Sequence, residues 1–170
     1  MKKIIFTLML TLATALAVNA QNLVGKQWCT VLNDEDGQGI AVALTFEKNG
    51  TCEMLIAAQQ EMKEDGVPIN LIAAVTVPGT YKLDGKDLNN QFDNGKAKVD
   101  VDDEIKGMDA KTKSLLDKQI KGEISTLKAE FKKVLLGGMP KMDQLKIVKL
   151  EGKQLVVKNS DNQEIPFYVE

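Results

Sequence analysis

The sequence has no histidine and no arginine; all 22 of its basic residues are lysines. Without histidine no Ser-His-Asp or Cys-His nucleophile system can be assembled, and no imidazole is there to ligate zinc, copper or haem. Without arginine there is no bidentate fork for a carboxylate or phosphate. Catalysis by Lys, Tyr and carboxylates alone is the class left, and no spacing of such groups marks a convergent pocket. The expectation is a protein that is not an enzyme and takes no cofactor. Positive charge is short as well. The formal net charge is −2, which gives no electrostatic pull toward nucleic acid. Cysteine is confined to Cys29 and Cys52.

What is present begins with a leader. Lys2 and Lys3 precede an apolar run over residues 4–18, and Val18-Asn19-Ala20 puts small residues at the −3 and −1 positions of a cleavage site. This reads as a secretory signal peptide over residues 1–20, with the mature chain starting at Gln21 and more acidic for the loss of two lysines. The run is too short and too weakly flanked to persist as a membrane span. No Cys follows the cleavage site to carry a lipid anchor. The expectation is an exported protein, periplasmic or extracellular, without a tether. Residues 21–170 then form one domain, long enough to bury roughly 70% of its unfolded surface without staples.

The mature part reads mainly as β. Residues 23–32 suggest a first strand carrying Trp28, and 33–39 a turn. Residues 40–46 alternate, with Val42, Leu44 and Phe46 on one face. Lys48-Asn49-Gly50 suits a three-residue hairpin loop, which pairs Phe46 with Cys52 and Leu44 with Met54. Residues 53–63 have a helix-forming composition, but Asp65-Gly66 is a hairpin signal. A two-residue turn there pairs Met62 with Ile69, Ile56 with Val75 and Met54 with Val77, all on one face, so a long hairpin is favoured over a helix. Pro78-Gly79 predicts a break or bend. Asp84-Gly85 predicts another turn, pairing Tyr81 with Leu88, and Ala97, Val99 and Val101 one more short strand.

Over 108–136 the period changes. Leu116, Ile120, Ile124, Leu127, Phe131 and Val134 follow helical spacing, with Asp109 as N-cap and Gly137-Gly138 and Pro140 as the stop. Gly122 leaves one helix or two open. Three strands follow, over 145–150, 154–158 after a Glu151-Gly152 turn, and 165–169. The sum is an antiparallel meander of eight or nine strands with a helical insertion at about 103–138. Closure into a barrel removes its edges and leaves room inside for side chains or one small ligand. The alternative is an open antiparallel sheet with the helix on one face.

Three phrases carry a family resemblance: Leu23-Val24-Gly25 leading to Trp28, Leu44-Thr45-Phe46 leading to Gly50-Thr51, and Gly79-Thr80-Tyr81-Lys82-Leu83-Asp84-Gly85-Lys86. With the order of strands and the closing hairpins, the chain resembles the small lipocalin-like domains exported by bacteria of the Bacteroidetes type. It differs in placing both Lys26 and Gln27 between Gly25 and Trp28, in lacking an Arg to cover that Trp, and in its long insert. The resemblance implies a barrel whose calyx takes an apolar small molecule.

The stripe Trp28, Val42, Leu44, Phe46, Met54, Ile56, Leu71, Val75 and Tyr81 is the candidate ligand-binding wall. The same residues suit a filled core, and alternation alone fits both. Asn33 to Asp36 before Gly37 superficially resemble a calcium loop, but Leu44 and Thr45 stand where the distal Glu belongs, so a solvated turn is expected. Asp100, Asp102, Asp103 and Glu104 lead into a helix N-terminus, where negative charge is favourable. No metal site is expected. A Cys29–Cys52 disulfide stays open: export permits it, whereas Trp28 facing inward turns Cys29 outward and Cys52 inward, against convergence. The helix face either docks on a partner or membrane, with Lys128, Lys132 and Lys133 toward anionic lipid, or packs on the barrel, the usual fate of such a stripe. Two functions follow: an exported carrier of a small hydrophobic molecule, or an envelope protein-interaction module with a filled barrel and no ligand.

Overall fold

The computed structural model describes residues 20–33, 39–64, 67–105 and 110–169, with backbone alone at 20, 21, 33, 60–64, 67–71, 102–105, 110–121, 123 and 124. A short helix α1 (Ala20–Leu23) leads into β1 (Gln27–Asn33), β2 (Gly39–Phe46), β3 (Thr51–Glu64), β4 (Val67–Asp84), β5 (Asp87–Phe92) and β6 (Lys98–Ile105). Helix α2 (Ala110–Gly137) follows, then β7 (Gln144–Glu151), β8 (Gln154–Asn159) and β9 (Glu164–Val169). Every pairing is antiparallel, and β1-β2-β3-β4-β5-β7-β8-β9 closes on itself as an eight-stranded barrel with β6 outside it. The fold is thus the mainly β barrel with one helical insert that the alternation required.

The registers of the first hairpins follow from their turns. Gly50 takes φ +83, which only glycine adopts without strain, and Phe46 faces Cys52 and Leu44 faces Met54 as expected. Along β3 and β4, Met62 faces Ile69, Ile56 faces Val75 and Met54 faces Val77; residues 65 and 66 between them lie outside the described residues.

Four expectations are corrected. The first strand begins at Gln27, because residues 20–23 form α1 and the chain turns at Gly25 with φ +73. This brings the Leu23 carbonyl to accept a 2.9 Å hydrogen bond from Trp28 Nε1, and Leu23 plugs the barrel, fully buried. Second, β4 runs through Pro78-Gly79 unbroken. Its edge is shared: β6 pairs with residues 69–76 and β5 with 79–84. Pro78 sits at the changeover, where its missing N–H leaves no ladder bond unmade, and its carbonyl accepts from Asp93 N at 2.8 Å. Third, Tyr81 faces Asn90, and Leu83 faces Leu88. The turn is Gly85-Lys86, with φ +59 at Gly85, and Gly152-Lys153 repeats it with φ +54 at Gly152. A glycine of positive φ belongs at the first central position of such a turn, one residue earlier than the sequence reading placed it. Fourth, residues 103–105 belong to β6, so the helical part of the insert begins at Ala110.

One continuous helix spans Ala110–Gly137, passing through Gly122. It lies against β6, β4 and β3. Leu135 enters the core, with Phe131 and Leu136 packed on it, and Met142 follows just before β7. Of the helical stripe, Phe131 packs on the barrel, but Val134 is 67% exposed and Leu135, one position on, takes the core place expected of it; the side chains of Leu116, Ile120 and Ile124 lie outside the described residues. Lys132 Nζ reaches the Ala97 carbonyl at 3.5 Å.

The barrel is joined unevenly. β1 and β9 share only the pairs Trp28–Val169 and Cys29–Tyr168. Val169 donates its N–H to Lys153 on the β8 side. By alternation Pro166 turns its nitrogen toward β1 with no hydrogen to give, so the ladder ends there.

Candidate functional site

Trp28, Val42, Leu44, Phe46, Met54, Ile56 and Val75 do converge, as the stripe predicted. They are buried in one cluster with Leu88, Ile147, Leu155, Val157 and Phe167. Tyr81 stands half-buried at its edge, its ring edge-on to Phe46 at 5.0 Å, its hydroxyl donating to the Glu47 carbonyl at 3.0 Å. The side chain of Leu71 lies outside the described residues. Two hollows mark the surface. One of about 490 Å³ is lined by Pro78, Thr80, Phe92, Asp93 and Lys96, and one of about 570 Å³ by Asn89, Asn90, Asp143 and Gln144. Both open to solvent, and neither touches the nine stripe residues.

The displaced ionisable groups have structural causes. Burial pushes the Cys52 thiol up to about 11. Burial also raises Tyr81, helped by Cys52 and Glu47 nearby. The Lys96 side chain, 3.0 Å away, holds Asp93 below the usual carboxylate range, while Asp93 caps the turn at Asn94–Lys96 by accepting from Gly95 N and Lys96 N. Asn90 is 3% exposed; its Nδ2 donates to the Met142 carbonyl at 2.8 Å and its Oδ1 has no partner. Among the described residues no three of Cys, Asp and Glu converge on a metal position. Loop residues 34–36 lie outside that description, as do the side chains of Asp102, Asp103 and Glu104. Cys29 and Cys52 are not bridged: Cys52 is in the core, and Cys29 sits half-buried on the opposite face of its sheet.

That opposite face holds the feature the sequence reading missed. Outward positions of β1 to β4 align across the strands as one row, Val31, Ala41, Ala57 and Ala74, and a second, Cys29, Ala43, Leu55 and Thr76. Gln59 and Ile72 extend the patch. None of these residues is charged, although 27% of the chain is. Val31 is 66% exposed and Ile72 42%. A sheet with one solvated face should alternate apolar with polar; here the outward side is apolar as well, with Val31, Ala41, Gln59 and Ile72 exposed, Ala43 buried at 7% and the rest half-buried. The signal was in the runs 40–44 and 54–58, where the residues between inward positions are Ala and Leu. No helix among the described residues is long and apolar enough to cross a membrane. No protein-family model matches this sequence, and no curated protein matches it.

Proposed function

We propose that this chain is an exported, non-enzymatic, lipocalin-like barrel that works through its outer surface as a protein-interaction module of the cell envelope, its interior filled by its own side chains. The observation that carries this reading is the uncharged outward face of β1 to β4, on which Val31 and Ile72 stand 66% and 42% exposed, since apolar side chains held out on a face without charge mark an interaction site. The interior supports it: seven of the nine residues that would line a ligand calyx are buried against one another. Export rests on the leader sequence. The ionisable groups support a non-catalytic role, because Cys52, Tyr81 and Asp93 owe their displaced pKa values to burial or to a capping bond.

Native mass spectrometry of the mature protein from periplasm, set against its denatured mass, tests the reading. The expected native species is the chain alone or the chain with a second protein. A small molecule that travels with the native protein and leaves on denaturation would overturn it in favour of a hydrophobic-ligand carrier.

A further inference from the structure

Asn49-Gly50-Thr51 is the only Asn-x-Ser/Thr triplet in the chain, and its middle residue is not proline. Such a triplet is the acceptor pattern for N-linked sugar where it lies on the surface of an exported chain. The fold meets the first condition. The triplet forms the tip of the β2–β3 hairpin and its entry into β3, with Asn49 and Thr51 exposed. The leader sequence supports the second.

The hairpin holds the Asn49 amide in one orientation. Glu47 N–H donates to the Thr51 carbonyl at 2.9 Å, and Gly50 N–H donates to the Glu47 carbonyl at 3.1 Å. The loop is tied to β4 as well: Tyr81 N–H donates to the Gly50 carbonyl at 2.9 Å and the Tyr81 hydroxyl to the Glu47 carbonyl at 3.0 Å. With Gly50 at φ +83 the chain reverses, and Asn49 folds back on Thr51. Its Oδ1 accepts from the Thr51 N–H at 3.0 Å and from the Thr51 hydroxyl at 2.6 Å. Among the described residues Nδ2 donates to nothing and is the free end of the side chain. Asn94-Gly95 makes the contrast. It too is exposed in a turn, but Lys96 stands where the hydroxyl belongs.

We propose that Asn49 Nδ2 is a covalent attachment site for an oligosaccharide, delivered by a transferase of the cell envelope from a polyprenyl pyrophosphate carrier. The proposal rests on export and goes beyond the surface reading, since the sugar is bonded to the chain rather than docked on it. In the transfer Nδ2 attacks C1 of the first sugar. The N–C1 bond forms and the C1–O bond to pyrophosphate breaks. The carrier pyrophosphate leaves with the electron pair, and one amide proton passes to a basic group of the transferase. Amide resonance ties up the nitrogen lone pair. Two hydrogen bonds on Oδ1 favour the charge that collects there as the proton leaves Nδ2, which makes Thr51 a positioning residue. The product keeps the turn, because Oδ1 retains both bonds and the sugar projects from Nδ2 into solvent. It therefore fits whether transfer comes before or after the hairpin closes. Ala41, beside Val31, lies five strand residues before Phe46, about 17 Å away, so the sugar leaves the uncharged outward face open.

The test expresses the full chain, leader included, in cells with an envelope N-glycosylation system and in matched cells lacking its transferase. Intact mass and tryptic peptides are compared. The expected result is a mature chain heavier by one oligosaccharide, carried on peptide 49–63, whose only Asn is Asn49, and the bare mass without the transferase. The added mass persists on denaturation, unlike that of a released ligand. Asn49→Gln and Thr51→Val should abolish it, Thr51→Ser should keep it, and Asn94→Gln should leave it unchanged. Thermal midpoints check that the variants fold, and the peptide map of the parent chain decides the question without them. A chain that has lost its leader and has the bare mass overturns the attachment site while export stands. A chain that keeps its leader overturns export and the attachment site with it. Sugar at another residue, or sugar that survives Thr51→Val, overturns the part given to the triplet.

Discussion

Replacing Trp28 with Phe tests the barrel's plugged end. Trp28 is fully buried, and its indole N–H is the donor to the Leu23 carbonyl at 2.9 Å. Phenylalanine removes that donor and strands a buried carbonyl, a loss of about 1–3 kcal/mol. The smaller ring leaves a void worth about 1 kcal/mol more. Lys26 Nζ lies 5.3 Å from the ring centroid, and weakening that contact adds about half a kcal/mol. The expected loss is about 3 kcal/mol, a large part of the 5–15 kcal/mol typical of a domain, and a fall in Tm of about 10 °C at this size. Urea unfolding followed by far-UV circular dichroism is the assay, because Trp28 is the only tryptophan and its fluorescence disappears with it. Lys26→Met serves as reference and should cost under about 1 kcal/mol. If Trp28→Phe costs no more than Lys26→Met, the hydrogen-bonded plug is wrong.

Two glycines should respond in opposite senses to alanine. A Cβ at Gly79 would stand 2.6 Å from the Gln91 carbonyl oxygen of β5, so Gly79→Ala should destabilise by about 1–3 kcal/mol. A Cβ at Gly122 meets nothing within 4 Å, so Gly122→Ala should raise stability by up to about 1 kcal/mol; denaturant midpoints of both variants give the comparison. Stability should also fall in alkali. Folding raises Cys52 from 9.0 to about 11, so the unfolded chain loses its proton first, and the contribution is complete below about pH 9 and lost by about pH 11. Tyr81 is raised too and acts with the same sign. Urea midpoints measured against pH should decline over this window, and less steeply in Cys52→Ala.

The hairpin of β3 and β4 was readable because a two-residue turn and strict alternation agree on one register. Alternation was weaker evidence at β5. A register wrong by two keeps every side chain on its own face, so only the backbone of Gly85, with its positive φ, separates Leu83–Leu88 from the expected Tyr81–Leu88. Of the break or bend expected at Pro78-Gly79, the break is absent, because a proline ends a strand only where its N–H is needed, and that depends on which neighbour lies beside it. Helix α1 left no pattern of its own; its place is set by the indole of Trp28 seeking an acceptor five residues back. Seven of the nine residues of the inward stripe meet in the core, with Tyr81 at its edge, while their fate as packed core depended on neighbours such as Phe167 and Ile147 from the distant end of the chain. The outer face shows in the sequence as doubled apolar positions over 40–44 and 54–58, a pattern that a strand buried on both faces shares.

The excursion between β5 and β7 leaves the barrel and returns to the point of departure. Asn90 donates its N–H to the Asp143 carbonyl at 2.7 Å, and Asn89 faces Gln144. Seen from the barrel, the intervening turn, β6 and α2 are a single very long hairpin loop. Loop entropy grows only logarithmically, so stretching a tight connection about tenfold costs roughly 2 kcal/mol, an amount that burying Leu135 and Met142 can offset. This is a site where the fold tolerates grafted chain. The barrel's registers are set by hairpins on either side of it, and whatever is spliced between Phe92 and Asp143 must bring its two ends back to the Asn90–Asp143 hydrogen bond and refill the core places of Leu135 and Met142.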